Sequence, residues 1–199
     1  MTNRDRLVLA AGDLFYRNGY AATSVEDILE RTGVARSNFY YHFDGKLDLA
    51  REVLRRWVAD FEAHLVTTTE DGAPAAARLR SIFREVRVAP WTQEAGSGSH
   101  RLPCPMGPLA LELAPHDVEV RSLAAEFLRT LRRSLRDVIA EGSSRGEFDR
   151  SLDPDAAAAV AVATLQGGLL LSHTNGVSQP LRRAESALLE LLARRDDGR

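Results

Sequence analysis

Apolar residues recur at the three- and four-residue spacing of a helix face along the whole chain, and no stretch alternates apolar and polar residues as a half-buried strand does. That pattern predicts an all-α protein of about nine helices. Leu7, Ala11, Leu14 and Phe15 form the inner face of a first helix that should stop near Asn18-Gly19. Residues 23–27 then hold a capping box that either hydroxyl can close, Thr23 with Glu26 or Ser24 with Asp27. Val25, Ile28 and Leu29 face inward on this short second helix, which ends at Thr32-Gly33. A third helix over 35–43 turns Phe39 and Phe43 inward and leaves Arg36, Ser37, Tyr40 and Tyr41 on the opposite side.

Lys46 opens a long fourth helix with Leu47, Ala50, Leu54, Trp57, Phe61 and Leu65 as its stripe. Pro74 suits the first turn of a fifth, whose stripe is Leu79, Ile82, Phe83 and Val86. Residues 90–105 break the periodicity and read as a loop inside one domain, because helical spacing resumes at once. A short apolar piece over 107–114 stops at Pro115, and Asp117 opens a long helix that closes at Gly142 or Gly146. Asp153-Pro154 caps the Ala-rich helix that follows, and a last one begins near Pro180 with Leu181, Ala184, Leu188, Leu191 and Leu192 on one face. No internal repeat is visible.

Charge and motif content exclude several classes of function. The 26 basic and 28 acidic residues nearly cancel, so a nucleic-acid surface has to come from local arrangement. One cysteine, Cys104, rules out an intrachain disulfide and a Cys-rich zinc site, and its thiol suits the cytoplasm. The apolar run 156–171 is interrupted by Thr164, Gln166 and a glycine pair, which suits a buried helix of a protein with no membrane partner. Gly96 and Gly98 make no dinucleotide fingerprint, since Arg101 stands where the third glycine belongs. None of the five histidines follows a glutamate by three residues, and no nucleophile elbow, phosphate loop or zinc helix motif occurs. The chain therefore reads as a non-enzyme without a cofactor.

Residues 23–46 carry the positive signal. Two short helices joined at Gly33-Val34 describe a helix-turn-helix whose second member can enter a major groove. Arg36 and Ser37 can reach base edges, while tyrosine hydroxyls, the His42 ring and Lys46 can meet phosphates. Residues 1–50 hold six basic and seven acidic groups, so charge alone does not decide for DNA; the outward aromatics do. Phe39 and Phe43 already fill the core side, which leaves Tyr40 and Tyr41 with no packing role.

The order and spacing of residues 23–28 (TSVEDI), 33–43 (GVARSNFYYHF) and 46–49 (KLDL) resemble the amino-terminal domain of TetR-family transcriptional regulators. The resemblance implies a DNA-binding domain over 1–50 and an effector-binding and dimerisation domain over 51–199. It also implies DNA contacts from Thr23, Ser24, Arg36, Ser37, Asn38, Tyr40, Tyr41, His42 and Lys46. Ala35 departs from the usual capping Ser or Thr, Ser37 from a frequent Gly, and Glu26 stands where a base-reading Arg sometimes occurs. Residues 104–113 (CPMGPLALEL), Gly146-Glu147 and Leu165-Gln166-Gly167-Gly168 resemble the effector domain of the LmrA/YxaF-type subgroup.

These features imply a ligand-responsive repressor, a homodimer on a palindromic double-stranded operator that a small apolar effector releases. The expected pocket is lined by Phe61, Leu65, Phe83, Met106, Leu109, Leu113, Phe127 and Leu131, with Gln166 and His173 as polar handles. The expected dimer stripes are Val162, Leu165, Gly168, Leu169, Leu188, Leu191 and Leu192. The rival reading is a helical small-molecule sensor without DNA-binding activity, which salt-dependent retention on DNA would separate from the first.

Overall fold

The computed structural model describes residues 1–68, 72–88, 104 and 106–193. The loop expected over 90–105 therefore lies outside the described residues except for Cys104, which is buried. Among the described residues there are nine helices and no strand: α1 (Asn3–Asn18), α2 (Val25–Thr32), α3 (Arg36–His42), α4 (Lys46–Thr68), α5 (Ala75–Val88), α6 (Met106–Leu113), α7 (Val118–Arg145), α8 (Pro154–Thr174) and α9 (Gln179–Leu192). The all-α expectation holds.

Helix starts follow local chemistry. Thr2 and Asp5 close a capping box on α1, and Ser24 and Asp27 close the one on α2. The structure thereby chooses between the two boxes open to the sequence. Asp153 caps α8 through the Asp155 amide, with Pro154 in the first turn. Gly33 ends α2 in the left-handed region at φ 65°.

The chain divides into two compact units. Among the described residues the first takes in 1–60 and 106–126, and the second takes in 61–68, 72–88, 104 and 127–193. Where the sequence suggested a division at residue 50, the unit that holds α1 to α3 also includes the start of α4, all of α6 and the start of α7.

Leu7, Ile28, Phe39, Leu49, Val53 and Leu54 are almost fully buried in the first unit. In the second, Leu79, Ile82, Leu131, Leu135, Ile139 and Leu165 are equally enclosed. Here α8 lies against α9, and a Cβ at Gly168 would stand 2.8 Å from Leu181 Cδ1 and 3.1 Å from its Cα. Of the two ends expected for α7 the structure takes Gly146, at φ 77° just past Arg145; Gly142 lies inside the helix and lets Phe148 and Ala75 approach to where a Cβ would meet them at 2.5 and 2.7 Å. By length and composition α8 could cross a membrane, at a mean hydropathy of 1.4. Its Ala158, Ala161, Leu165, Gly168 and Leu169 are buried, while 33% of its apolar window as a whole is buried within the chain.

Candidate nucleic-acid interface

The recognition helix α3 is short and has no side-chain cap, because Ala35 at its N-cap offers only its carbonyl, to the amides of Asn38 and Phe39. What fixes it is its inner face. Phe39 is fully buried and Phe43 nearly so, with ring centroids 5.8 Å apart. Arg4 lies over the Phe43 ring at 5.8 Å from its centroid and pairs with Glu52 at 2.7 Å, joining α1 to α4. On α1, the buried carboxylate of Asp13 takes Arg17 at 2.7 Å and Arg31 of α2 at 2.6 Å. The Arg6 guanidinium donates to the Thr32 carbonyl at the end of α2.

The outer face is open. Tyr41 is 82% exposed and Tyr40 51%, the latter edge-on to Phe39. Arg36 and Ser37 are exposed beside them, and His42 is half-buried with its ring edge against Tyr41 at 4.9 Å. These five residues share one short helix, as the spacing requires. Arg36 has a partner that the spacing did not show: its guanidinium donates to the Glu26 carboxylate on α2. Glu26's own backbone amide, and then Arg36, hold that carboxyl below the usual carboxylate range.

Four of the expected contact residues are engaged or shielded within the chain. Thr23 is 1% exposed, and its hydroxyl donates to the Gly19 carbonyl at 2.9 Å, which ties its side chain to the turn after α1. Ser24 is engaged in the α2 capping box, its hydroxyl 2.7 Å from Asp27 Oδ2. Asn38 is half-buried, with its side-chain oxygen shielded from solvent. Lys46 does not project freely. Its Nζ donates to the carbonyls of Tyr20 at 2.9 Å and Thr23 at 2.8 Å, and lies 4.1 Å from the centroid of the Tyr20 ring. This ammonium staples the start of α4 to the turn before α2.

The same unit contains ties that sequence reasoning missed. Glu112 of α6 accepts the Ala21 amide at 2.9 Å. Asp117, buried at the N-terminus of α7, accepts Arg51 of α4 at 2.5 Å and the Val120 amide at 2.8 Å. Arg51, and then the Val120 amide, hold the Asp117 carboxyl below the usual range. Arg55 extends the network to Glu52 at 2.8 Å and to Glu119. Only Asp117 gave a signal in sequence, as an acidic residue just before a long helix.

The residues expected to line an effector pocket divide between the units. Met106, Leu109 and Leu113 are buried in the first; Phe61, Leu65, Phe83, Phe127 and Leu131 are buried in the second, where the rings of Phe61 and Phe127 lie 4.4 Å apart. Gln166 and His173 are half-buried on α8. Of the residues expected at a dimer interface, Leu165, Gly168, Leu169, Leu188 and Leu192 are buried within the single chain, which revises that expectation. Pairing of α8 with α9 covers them, whereas Val162 is half-buried and Leu191 is 69% exposed.

Comparison with known proteins agrees with this geometry. Residues 7–53 match the family described as bacterial regulatory proteins, tetR family, and residues 75–188 match the tetracyclin repressor-like C-terminal domain. The HTH-type transcriptional repressor DhaR of Mycobacterium sp. (strain GP1) is 27% identical over 190 residues, which cover 95% of this chain and 91% of that protein. The HTH-type transcriptional regulator LmrA of Bacillus subtilis (strain 168) is 26% identical over 194 residues, covering 96% and 97%. A transcriptional regulator from Saccharomonospora viridis, solved in complex with choline, has the same fold at a TM-score of 0.80 and 22% identity, covering 94% and 95%. With both characteristic domains matched in order, and a helix-turn-helix whose outer face is built to meet DNA, the chain belongs to the TetR family of DNA-binding transcriptional regulators.

Proposed function

We propose that the protein is a repressor that holds a palindromic operator as a homodimer and leaves it when a small apolar molecule binds its helical body. The observation that carries the DNA-reading part is the outer face of α3. Two tyrosines stand in solvent beside Arg36 and Ser37 while the phenylalanines of the same helix fill the core. Arg36 can offer two parallel donors to a guanine, and the tyrosine hydroxyls can reach phosphates or bases.

The dimer is supported by a second apolar face on α8. Ala156, Val160, Ala163, Gly167, Leu171 and Thr174 follow one another at steps of three or four and are all exposed, opposite the face buried on α9. They form a surface that a second copy can cover about a two-fold axis, the symmetry a palindrome demands. The repressor DhaR supports repression, and the choline-bound protein of the same fold supports a body that accepts a small molecule.

Selection of bound sequences from a random duplex pool tests the reading. Recovery of a palindrome, bound with a steep salt dependence and released by an apolar compound, is the expected result. Release requires the compound to bind the free form more tightly than the DNA-bound form, so compounds that bind without changing operator affinity would remove the switch. A pool that returns no enriched sequence would favour a sensor without DNA-binding activity.

A further inference from the structure

On the outer surface of the helix-turn-helix, the first residue of α3 is already held from the helix before it. Arg36 Nη2 donates to Glu26 Oε1, ten residues earlier. The two side chains are 58% and 60% exposed, and an ion pair so open to water adds little to the stability of a fold. Core packing of α3 does not need it either, since Phe39 and Phe43 supply that. Glu26 itself is anchored: it stands in the first turn of α2, where unpaired amides favour a carboxylate. A long, flexible arginine thus has its main acceptor in Glu26, with the Tyr40 hydroxyl a weaker one on its own helix, at the surface where the helix would meet DNA.

We infer that Glu26 is a positioning and specificity-determining residue, one that orients the Arg36 guanidinium toward a single guanine and disfavours DNA that offers phosphates alone. This rests on Arg36 reading a base, as proposed above. A guanidinium has five N–H donors, so one bond to Glu26 leaves enough for a bidentate approach to guanine. If Arg36 turned to a phosphate instead, the Glu26 carboxylate would lose its partner beside the negative backbone. Cognate binding keeps the pair together, and sequence-blind binding breaks it.

The test uses the intact chain with Glu26→Ala, Glu26→Gln, Arg36→Ala and the double variant Glu26→Ala/Arg36→Ala. Each is titrated at several salt concentrations against the selected operator, operators altered at one base pair, and a random-sequence duplex; thermal unfolding serves as the control. Glu26→Ala should lower the unfolding midpoint only slightly, through the lost first-turn carboxylate, while it reduces preference at one base pair by about tenfold and strengthens binding to random duplex. Glu26→Gln, which keeps an acceptor without the charge, should restore the base preference but not the weak random binding. With Arg36 already alanine, removing Glu26 should alter that preference no further. A loss by the same factor on every duplex, or single losses that multiply in the double variant, would overturn the inference. A wild-type protein that binds no duplex in a salt-dependent way would instead overturn the DNA-reading assignment, and this inference with it.

Discussion

Lys46 shows how a charge can be legible and its role not. As the only lysine of the chain, at the start of a helix, it has the outward signs of a phosphate contact. In the structure it donates to two carbonyls that lie 26 and 23 residues earlier. Lys46→Ala should therefore lower the thermal midpoint of the protein while leaving the slope of log affinity against log salt unchanged. A slope flattened by about one unit would return Lys46 to the DNA backbone. Ser24→Ala removes a working cap and should cost about 1 kcal/mol by denaturant titration. Thr23→Ala deletes a buried hydroxyl that bridges the turn, so its effect should be on stability and not on salt dependence.

Helix existence, order and most ends could be read from the residues, because caps, prolines and apolar spacing are local signals. The Ser24 box and the Asp153-Pro154 start emerge as the spacing predicts. What spacing cannot give is the partner of a face. Gly142 and Gly146 both read as stops for α7; the helix ends at Gly146, and Gly142 stands inside it where Ala75 and Phe148 come close. Gly168 permits a close helix approach, as its sequence context suggests, but the approaching helix is α9 of the same chain. The same ambiguity bears on Leu165, Leu169, Leu188 and Leu192, which are buried within the single chain, since a buried stripe has one appearance in sequence whether its cover is intramolecular or a second copy. In the candidate site, the outward face of α3 was legible from the two inward phenylalanines. The engagements of Glu26, Lys46 and Thr23 were not, because each depends on the fold to bring its partner near. Gly168→Val should push α8 from α9 and cost about 1–3 kcal/mol, read as a shift in urea midpoint. An unchanged midpoint would mean that the two helices do not approach as described.

Over the whole molecule, the exposed face of α8 makes assembly the property most open to a single experiment. Paired Val160→Arg and Leu171→Arg substitutions leave the α9 face untouched, so the chain should stay folded and sediment as a monomer, with operator affinity lost along with the second half-site. A variant that remains dimeric would place the interface elsewhere. Part of the acid stability comes from carboxylates held below their ordinary range, Asp117 of the first unit and Glu141 of the second among them. Asp117 has a folded pKa below its unfolded value, so its contribution is complete above the ordinary carboxylate value of about 3.9 and is lost as pH falls through the lower folded one. Asp117→Asn should make the unfolding midpoint less dependent on pH across that window, and an unchanged slope would show that other carboxylates set it. The bond from Ala21 to Glu112 gives the molecule a clock of its own. Ala21 is an exposed residue whose backbone hydrogen is held by one carboxylate of α6, 91 residues along the chain. Deuterium can replace that hydrogen only when the carboxylate lets go, so the protection of a single amide measures how rarely this tie between α6 and the turn that precedes α2 opens.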